Sequence, residues 1–236
     1  MIKVRVVCAL ALTASLLAAP AGAAVLFSDD FEGPLNVIGY PSTPDKWNIK
    51  AGIGDVDIVG IPNVWKIENC AGGSSQCVDL DGSNGDSTAF LYSDGINVEA
   101  GKDYVLSFDY SDSQRLDEST NYPQAVLPDV IRFGVTDGSL AILDNGVVAL
   151  APTNGGTAFS TQLLAFTAGT TGLIHLFFQA EQVGFGTNAD RIGGLIDNVS
   201  FATAPVPLPA AAWLLLSGLA GVGAMARRRR REPVAA

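Results

Sequence analysis

The sequence predicts an all-β fold, an antiparallel β-sandwich, flanked by an N-terminal signal helix and a C-terminal transmembrane helix. Three observations lead to this prediction. Apolar and polar residues alternate through the middle of the chain, turn-forming residues separate these runs, and no run of about 12 residues there shows a helical repeat. We therefore expect a signal peptide over residues 1–23, one β-sandwich domain over residues 25–203 and a separate C-terminal segment over residues 204–236.

The first segment has the order of a secretory signal peptide. Lys3 and Arg5 precede an apolar run over residues 6–19, and Pro20 and four small residues follow it. About 14 apolar residues are short for a membrane span, which needs about 20. The Ala-x-Ala exit favours removal. We predict cleavage after Ala23, and therefore export of the protein.

Strand periodicity dominates the middle of the chain. Four runs place apolar side chains at every second position, which is typical of half-buried strands: Tyr104–Tyr110, Ile131–Val135, Ile174–Ala180 and Leu195–Phe201. Turn-forming pairs lie between and beside such runs, among them Asp94-Gly95, Asp137-Gly138 and Asn145-Gly146. About ten short strands with this spacing predict the sandwich.

The cysteines agree with export. Cys8 lies inside the signal segment, so the mature chain keeps Cys70 and Cys77. An even pair in an oxidising compartment predicts one disulfide, which would close a small Gly/Ser-rich loop.

Charge excludes one class of partner. The end segments hold seven of the 14 basic residues and one of the 24 acidic residues, so the centre has seven basic and 23 acidic residues. Phosphate contacts need Lys and Arg, and we expect no nucleic-acid binding. The acidic excess suits a soluble exported domain or one that takes up divalent cations.

The C-terminal segment combines a short motif, an apolar helix and a basic tail. Val206, Pro207, Leu208, Pro209 and Ala210 form the motif, residues 210–226 carry no charge, and five arginines occupy 227–231. Such a run can just span a bilayer, and the arginines would hold the tail in the cytoplasm.

This cassette closely resembles the PEP-CTERM sorting signal in its Val-Pro-Leu-Pro-Ala form. The resemblance implies a Gram-negative host, an inner-membrane intermediate and cleavage by an exosortase-type membrane protease. It also implies delivery to the cell surface or the extracellular matrix, where such proteins accompany exopolysaccharide and biofilm formation. The motif reads Pro-Leu-Pro rather than Pro-Glu-Pro, which leaves the processing enzyme open.

Short motifs in the centre resemble galactose-binding-like jelly-roll carbohydrate-binding modules. They are Phe31-Glu32-Gly33, the run at residues 78–82, the strand at residues 104–109 and the closing run Ile196-Asp197-Asn198-Val199-Ser200-Phe201. The resemblance implies a jelly-roll sandwich and polysaccharide binding, although fold alone does not fix function.

The same resemblance implies a structural Ca²⁺ site, with the carboxylates of Glu32 and Asp197 as ligands and with backbone oxygens near Asp30 and Asp79 completing it. The sequence adds its own argument for Asp197. It is separated by an even number of positions from the apolar residues Leu195, Val199 and Phe201, so it should lie on the same, inward face of the strand. A carboxylate there needs a cation or a hydrogen-bond donor. The alternative is that Asp197 hydrogen-bonds backbone amides.

Sugar binding would use exposed aromatic rings beside polar groups. We predict Tyr40, Trp47, Asn188 and Arg191 for this role, with Tyr92 among further aromatic candidates. The alternative for Trp47 is a place in the core.

Catalysis finds little support. The single histidine, His175, lies in an apolar strand and is expected to be structural, and no hydrolase or metalloprotease motif is present. We predict a non-enzymatic surface or matrix protein that binds polysaccharide. The alternatives are a purely structural biofilm component and a glycan-active enzyme that uses two carboxylates.

Overall fold

The computed structural model describes residues 23–33, 43–51, 54–61, 67, 69–80, 82, 89–112, 130–149, 159–181, 194–205 and 218–222. Within these residues twelve strands form. They are β1 (Val25–Asp29), β2 (Trp47–Ile49), β3 (Asp57–Gly60), β4 (Gln76–Asp79), β5 (Phe90–Ser93), β6 (Ile96–Val98), β7 (Asp103–Ser111), β8 (Val130–Asp137), β9 (Ile142–Ala149), β10 (Ser160–Thr167), β11 (Gly172–Glu181) and β12 (Leu195–Thr203).

The strands form two six-stranded sheets. Sheet I has the order β10-β7-β12-β4-β3, and β1 also pairs with β12. Sheet II has the order β2-β5-β11-β8-β9, and β6 also pairs with β11. All these pairs are antiparallel. The predicted antiparallel β-sandwich is confirmed.

The chain divides into two units. One comprises Ala24–Ala204 and holds both sheets, and the other comprises Met1–Ala23 with Pro205–Ala236. In the second unit residues 218–222 are helical. No helix among the described residues is long and apolar enough to cross a membrane. The signal helix and the transmembrane helix stay predictions.

The core lies between the two sheets and is rich in aromatic rings. Phe108 packs edge-on against Phe133 and Phe178, with ring centroids 4.7 and 4.8 Å apart. All three side chains come from every second position of a central strand, as the alternation of polar and apolar residues predicts. The side of each sheet that faces away from the other sheet is called its outward face below.

One predicted turn is wrong. Asn145 and Gly146 lie inside β9, opposite Gly134 and Phe133 of β8. The hairpin turns earlier, where Asp137 accepts hydrogen bonds from the backbone N–H groups of Ser139 and Ala141 at 2.8 and 3.0 Å. Gly146 serves packing, because an added Cβ atom would lie 2.8 Å from the ring of Phe133.

A second apolar cluster covers part of the outward face of sheet I. It consists of Val59, Ile67, Cys70, Cys77 and Leu195. Cys70 and Cys77 are joined by a disulfide bond, with Cα atoms 5.5 Å apart. The bond closes the segment between residues 70 and 77, called the disulfide loop below.

Candidate functional site

The outward face of sheet II brings aromatic and polar side chains into rows across five strands. In one row Asn48, Tyr92, Phe177, Gly134 and Asn145 lie opposite one another from β2 to β9. The next row holds Phe90, Gln179, Arg132 and Val147. These residues alternate with core residues, so the strand pleat directs them to one surface.

Rings line the centre of this face. Phe90 and Phe177 stack with centroids 5.0 Å apart and an interplanar angle of 3°. Both rings are buried, whereas Tyr92 and His175 are partly exposed and meet edge-on at 5.5 Å. The face therefore has a buried aromatic floor and a partly exposed tyrosine ring beside it.

Polar and charged groups surround the rings. Arg132 forms an ion pair with Glu181, and both side chains are about one-third exposed, at 37% and 29%. The Arg132 Nε is buried and has no hydrogen-bond partner within the described part of the chain. Lys50 places its ammonium group 5.4 Å from the centroid of the Phe90 ring. Donors and acceptors thus flank the aromatic floor on both sides.

Gly134 lets β9 approach this face closely. A Cβ atom there would collide with the carbonyl oxygen of Asp144 and lie 2.7 Å from the Cα of Asn145. The β8–β9 register shifts between Val135 and Thr136 at the same place. The backbone of β9 therefore borders the row of rings.

His175 is held by contacts within the sheet. Its Nδ1 lies 2.7 Å from the carbonyl oxygen of Ser93, which requires Nδ1 to carry the proton as donor. The Ser93 hydroxyl in turn accepts a hydrogen bond from the backbone N–H of Leu176 at 3.0 Å. These contacts are those of a structural histidine.

Two predicted calcium ligands, Glu32 and Asp197, meet at the disulfide loop. Glu32 accepts hydrogen bonds from the backbone N–H groups of Ser75 and Gln76, at 2.5 and 3.0 Å, and from the Ser75 hydroxyl. Asp197 accepts from the backbone N–H of Ala71 at 3.0 Å and from the Ser74 hydroxyl at 2.6 Å. Both carboxylates thus hold the loop through N–H and O–H donors.

Asp197 is fully buried, but not on the predicted side. It lies with Leu195 under the disulfide loop, whereas Val199 and Phe201 belong to the core between the sheets. The prediction of a shared parity is wrong because the β12–β7 register shifts between Asp197 and Ser200. Asn198 makes this shift with a φ of 49°, a left-handed conformation that Asn tolerates.

Burial, and to a smaller extent the negative charge of Glu32, raise the pKa of Asp197 from 3.8 to about 6. The hydrogen bonds from Ser74, Asn198 and Ala71 act against this rise because they stabilise the carboxylate.

The other two predicted positions of the calcium site are Asp30 and Asp79. Asp30 is exposed and accepts a hydrogen bond from the backbone N–H of Glu32 at 3.3 Å. Asp79 is buried on β4, opposite Leu195. Among the described side chains, no three of His, Cys, Asp or Glu converge where they could hold a metal ion. Glu32 and Asp197 each accept hydrogen bonds from the disulfide loop, and calcium binding by them stays a prediction.

An acidic cleft of about 280 Å³ lies where β1 ends and β2 begins. Four carboxylates line it, those of Asp29, Asp30, Glu32 and Asp45. Lys46 lines it too and donates to the carbonyl oxygen of Ser28 at 3.0 Å. The cleft opens beside the predicted calcium ligand Glu32.

The prediction of Trp47 as an exposed sugar-binding ring is wrong. Its ring is 4% exposed and packs between Phe27, Phe31 and Phe178. Its Nε1–H donates to Asp29 at 2.9 Å, which satisfies its one polar group inside the fold. A ring enclosed in this way cannot stack on a ligand.

Several predicted site residues lie outside the described residues. They are Tyr40, Asn188 and Arg191 of the predicted ligand site and the sorting motif Val206, Pro207, Leu208, Pro209 and Ala210.

Arg132, Gln179 and Glu181 were not predicted as members of a surface. The signal was available: each occupies a polar position between core residues of a predicted strand or at its end. The polar positions of an alternating run share the face opposite to its core positions, which places these three residues on one face.

Among known proteins, a solved structure shares the fold. No protein-family model matches the chain, and no curated protein matches it. The structure of a cyclase from Fischerella sp. TAU is similar, with a TM-score of 0.54 and 17% identity over 79% of this chain and 100% of that one. At this identity the likeness is one of fold.

Two further solved structures are similar to this chain at lower TM-scores. The xylan-binding CBM22-1 domain of Paenibacillus barcinonensis Xyn10C gives a TM-score of 0.42 and 16% identity over 80% of this chain and 100% of that one. An arabinose-bound α-L-arabinofuranosidase, MgGH51, gives 0.46 and 10% identity over 67% of this chain, and the match spans only 23% of the enzyme. The fold places this protein in the class of antiparallel β-sandwiches of two six-stranded sheets.

Proposed function

We propose that this is an exported, non-enzymatic protein whose β-sandwich binds polysaccharide through the outward face of sheet II. We further propose that an exosortase-type protease sorts it through residues 206–210 to the cell surface or extracellular matrix of a Gram-negative bacterium. Export rests on the signal-like first segment and on the motif, apolar run and arginine tail at the other end.

One observation carries the proposal of polysaccharide binding. The outward face of sheet II combines a partly exposed tyrosine ring, Tyr92, with the amide of Gln179 and the Arg132–Glu181 pair. Sugars present apolar C–H faces and a ring of hydroxyl groups, so they need a flat aromatic surface beside donors and acceptors.

The register suggests how each group would act. The ring of Tyr92 would pack on the C–H face of one sugar unit. Gln179 would offer both a donor and an acceptor, Arg132 would donate and Glu181 would accept hydrogen bonds from hydroxyl groups. Because Arg132 and Glu181 already neutralise each other, this part of the face favours hydroxyl groups over a free charge.

Affinity gel electrophoresis against hydroxyethylcellulose, soluble xylan, pectin and alginate tests the proposal. We expect retardation by at least one of these polysaccharides and a loss of affinity of about tenfold for Tyr92→Ala, which corresponds to about 1.4 kcal/mol. Arg132→Ala should also weaken retardation. Leu163→Ala, which removes an exposed side chain from sheet I, and Lys102→Ala, which removes a cation elsewhere, are matched controls.

The outcome separates the alternatives. Absence of retardation by every polysaccharide would favour a purely structural matrix component. Release of reducing ends from any of them, lost on changing one carboxylate, would favour a glycan-active enzyme. Equal losses for Tyr92→Ala and Leu163→Ala would place binding, if present, away from sheet II.

Calcium binding by Glu32 and Asp197 stays a proposal. Their oxygens would have to leave the N–H donors of the disulfide loop or share them, with the cleft beside Glu32 as the route of entry. Isothermal titration with CaCl₂ should then give a signal that Glu32→Gln abolishes and Asp144→Asn keeps. Heat exchange that is the same for all three proteins would exclude these ligands.

Mass spectrometry of the surface-released protein tests sorting. We expect a chain that starts near Ala24 and lacks the arginines at 227–231. A released chain that retains this tail would contradict the sorting proposal.

A further inference from the structure

The first residue of the β-sandwich unit is fastened to its last strand. The backbone N–H of Ala24 donates to the Thr203 hydroxyl at 2.8 Å, and the backbone N–H of Thr203 donates to the carbonyl oxygen of Ala24 at 2.9 Å. Val25 lies opposite Ala202 in the adjoining pair. Both polar groups of Ala24 are therefore engaged in the folded unit.

Thr203, the hydrogen-bonding partner of Ala24, is distant from it in the sequence. Ala24 and Thr203 are 179 positions apart. Within the part of the chain that the structure describes, β1 pairs with β12 alone. A chain that is exported from its N-terminus exposes Ala24 long before Thr203 can reach it, so this pair can form only when export of the domain is nearly complete.

Proteases bind their substrates as extended chain, with the backbone groups around the cleaved bond available for pairing. A residue that is hydrogen-bonded in a folded protein must first open, and cleavage then follows the population of the open form. Ala24 directly follows the predicted cleavage point, so the Ala24–Thr203 pair would compete with the protease for the same backbone groups.

We propose that the bond between Ala23 and Ala24 is open to cleavage only until β12 joins sheet I, so that the order of the strands limits signal removal to the period before folding. This inference rests on the proposed export. It makes β1 a strand whose late pairing first leaves the cleavage point accessible and afterwards protects the new N-terminus.

In vitro cleavage of the full-length precursor tests the timing. The oxidised chain is refolded in detergent micelles and incubated with purified signal peptidase, and mass spectrometry follows the product that begins at Ala24. Thr203→Val removes the acceptor of Ala24 and should speed cleavage of the folded precursor about fivefold, the factor expected for one net hydrogen bond. Thr167→Val removes a similar hydroxyl contact, to Asp103 on the same sheet, and should match the wild type.

Phe201→Asp supplies the unfolded reference, because a charge at this fully buried position prevents β12 from packing. We expect it to be cleaved fastest. Equal rates for the folded wild type and Phe201→Asp would overturn the proposed timing, and equal rates for Thr203→Val and Thr167→Val would overturn the role of the Ala24–Thr203 pair. Failure to cut Phe201→Asp after Ala23 would overturn the predicted signal, and with it both proposals.

Discussion

The outward faces of the two sheets arise from the same alternation of polar and apolar residues, but the side chains on them make different contacts. On sheet I, Asp109 accepts hydrogen bonds from the Thr161 hydroxyl at 2.6 Å and from the Asn198 amide at 2.9 Å. On sheet II, the ring of Tyr92 and the Arg132–Glu181 pair are partly exposed. The polar groups of the first face hydrogen-bond to one another, whereas the second face combines a partly exposed aromatic ring with a partly exposed ion pair.

The disulfide loop extends this difference. It covers the part of sheet I that β3, β4 and the start of β12 form, and Asp197 and Glu32 fasten it there. On the described part of sheet II, Arg132 pairs with Glu181 and the Asn48 amide donates to Asp94 at 3.1 Å, but no disulfide-closed loop is fastened there. Period-two alternation therefore identifies a surface, while the hydrogen bonds of its polar groups decide whether that surface is structural.

The buried floor of sheet II gives the largest expected effect. Phe177→Ala removes a fully buried ring that stacks on Phe90, and we expect it to lower the free energy of unfolding by about 3–5 kcal/mol. Urea unfolding followed by tryptophan fluorescence measures the loss. The control Leu163→Ala, at a side chain that is 67% exposed, should stay within about 0.5 kcal/mol. If Phe177→Ala lowered the free energy of unfolding by as little as Leu163→Ala does, the ring of Phe177 would not be tightly packed against Phe90.

The disulfide loop comes next. The double variant Cys70→Ser/Cys77→Ser should unfold with about 2–3 kcal/mol less free energy, since the unfolded chain regains the freedom of the closed loop. Polysaccharide binding should persist at temperatures where the variant stays folded, because the loop lies on sheet I. A matched loss of binding would break the division of roles between the two faces.

The buried carboxylate of Asp197 gives a pH dependence. Its pKa is raised from 3.8 in the unfolded chain to about 6 in the folded one, chiefly by burial. Between these values the folded state binds more protons than the unfolded state, so the contribution of Asp197 to stability is largest below pH 3.8 and falls as pH rises through about 6. Urea unfolding from about pH 4 to about pH 7 should show the wild type losing stability relative to Asp197→Asn. A difference that grows in the opposite direction would contradict the raised pKa.

The smallest effect belongs to the exposed contacts of sheet I. Thr161→Val removes the hydroxyl that donates to Asp109, but water can replace this donor and Asn198 keeps its own bond to Asp109. The free energy of unfolding should change by no more than about 0.5 kcal/mol. A loss above about 1.5 kcal/mol would show that this face contributes more to stability than its exposure indicates.

The strands of the fold were largely predictable from the sequence. The alternating runs that begin at Tyr104, Ile131 and Ile174 are the central parts of β7, β8 and β11. Their order in the sheets was not predictable, because pairing depends on contacts between distant residues. The place of Asn145-Gly146 inside β9 was not predictable either. It is a typical turn pair, but the earlier turn at Asp137 sets the β8–β9 register.

The site was predicted less well than the fold. The burial of Asp197 follows from its apolar neighbours, but its side of the sheet depends on the register shift beside Asn198, which leaves no signal in the alternation. Trp47 shows the opposite problem: a tryptophan beside a loop fits a binding ring as well as a core ring, and only packing against Phe27 and Phe178 decides.

The pairing of Ala24 with Thr203 also has a mechanical consequence. A pull between the two ends of this unit acts along the hydrogen bonds between β1 and β12, because Ala24 and Thr203 lie opposite each other at the same end of two antiparallel strands. The bonds are then loaded one after another, beginning at Ala24 and proceeding towards Phe27. Under tension β1 would therefore separate from β12 one hydrogen bond at a time, at low force and beginning at Ala24. Strands that pair with a neighbour on both sides would remain in place.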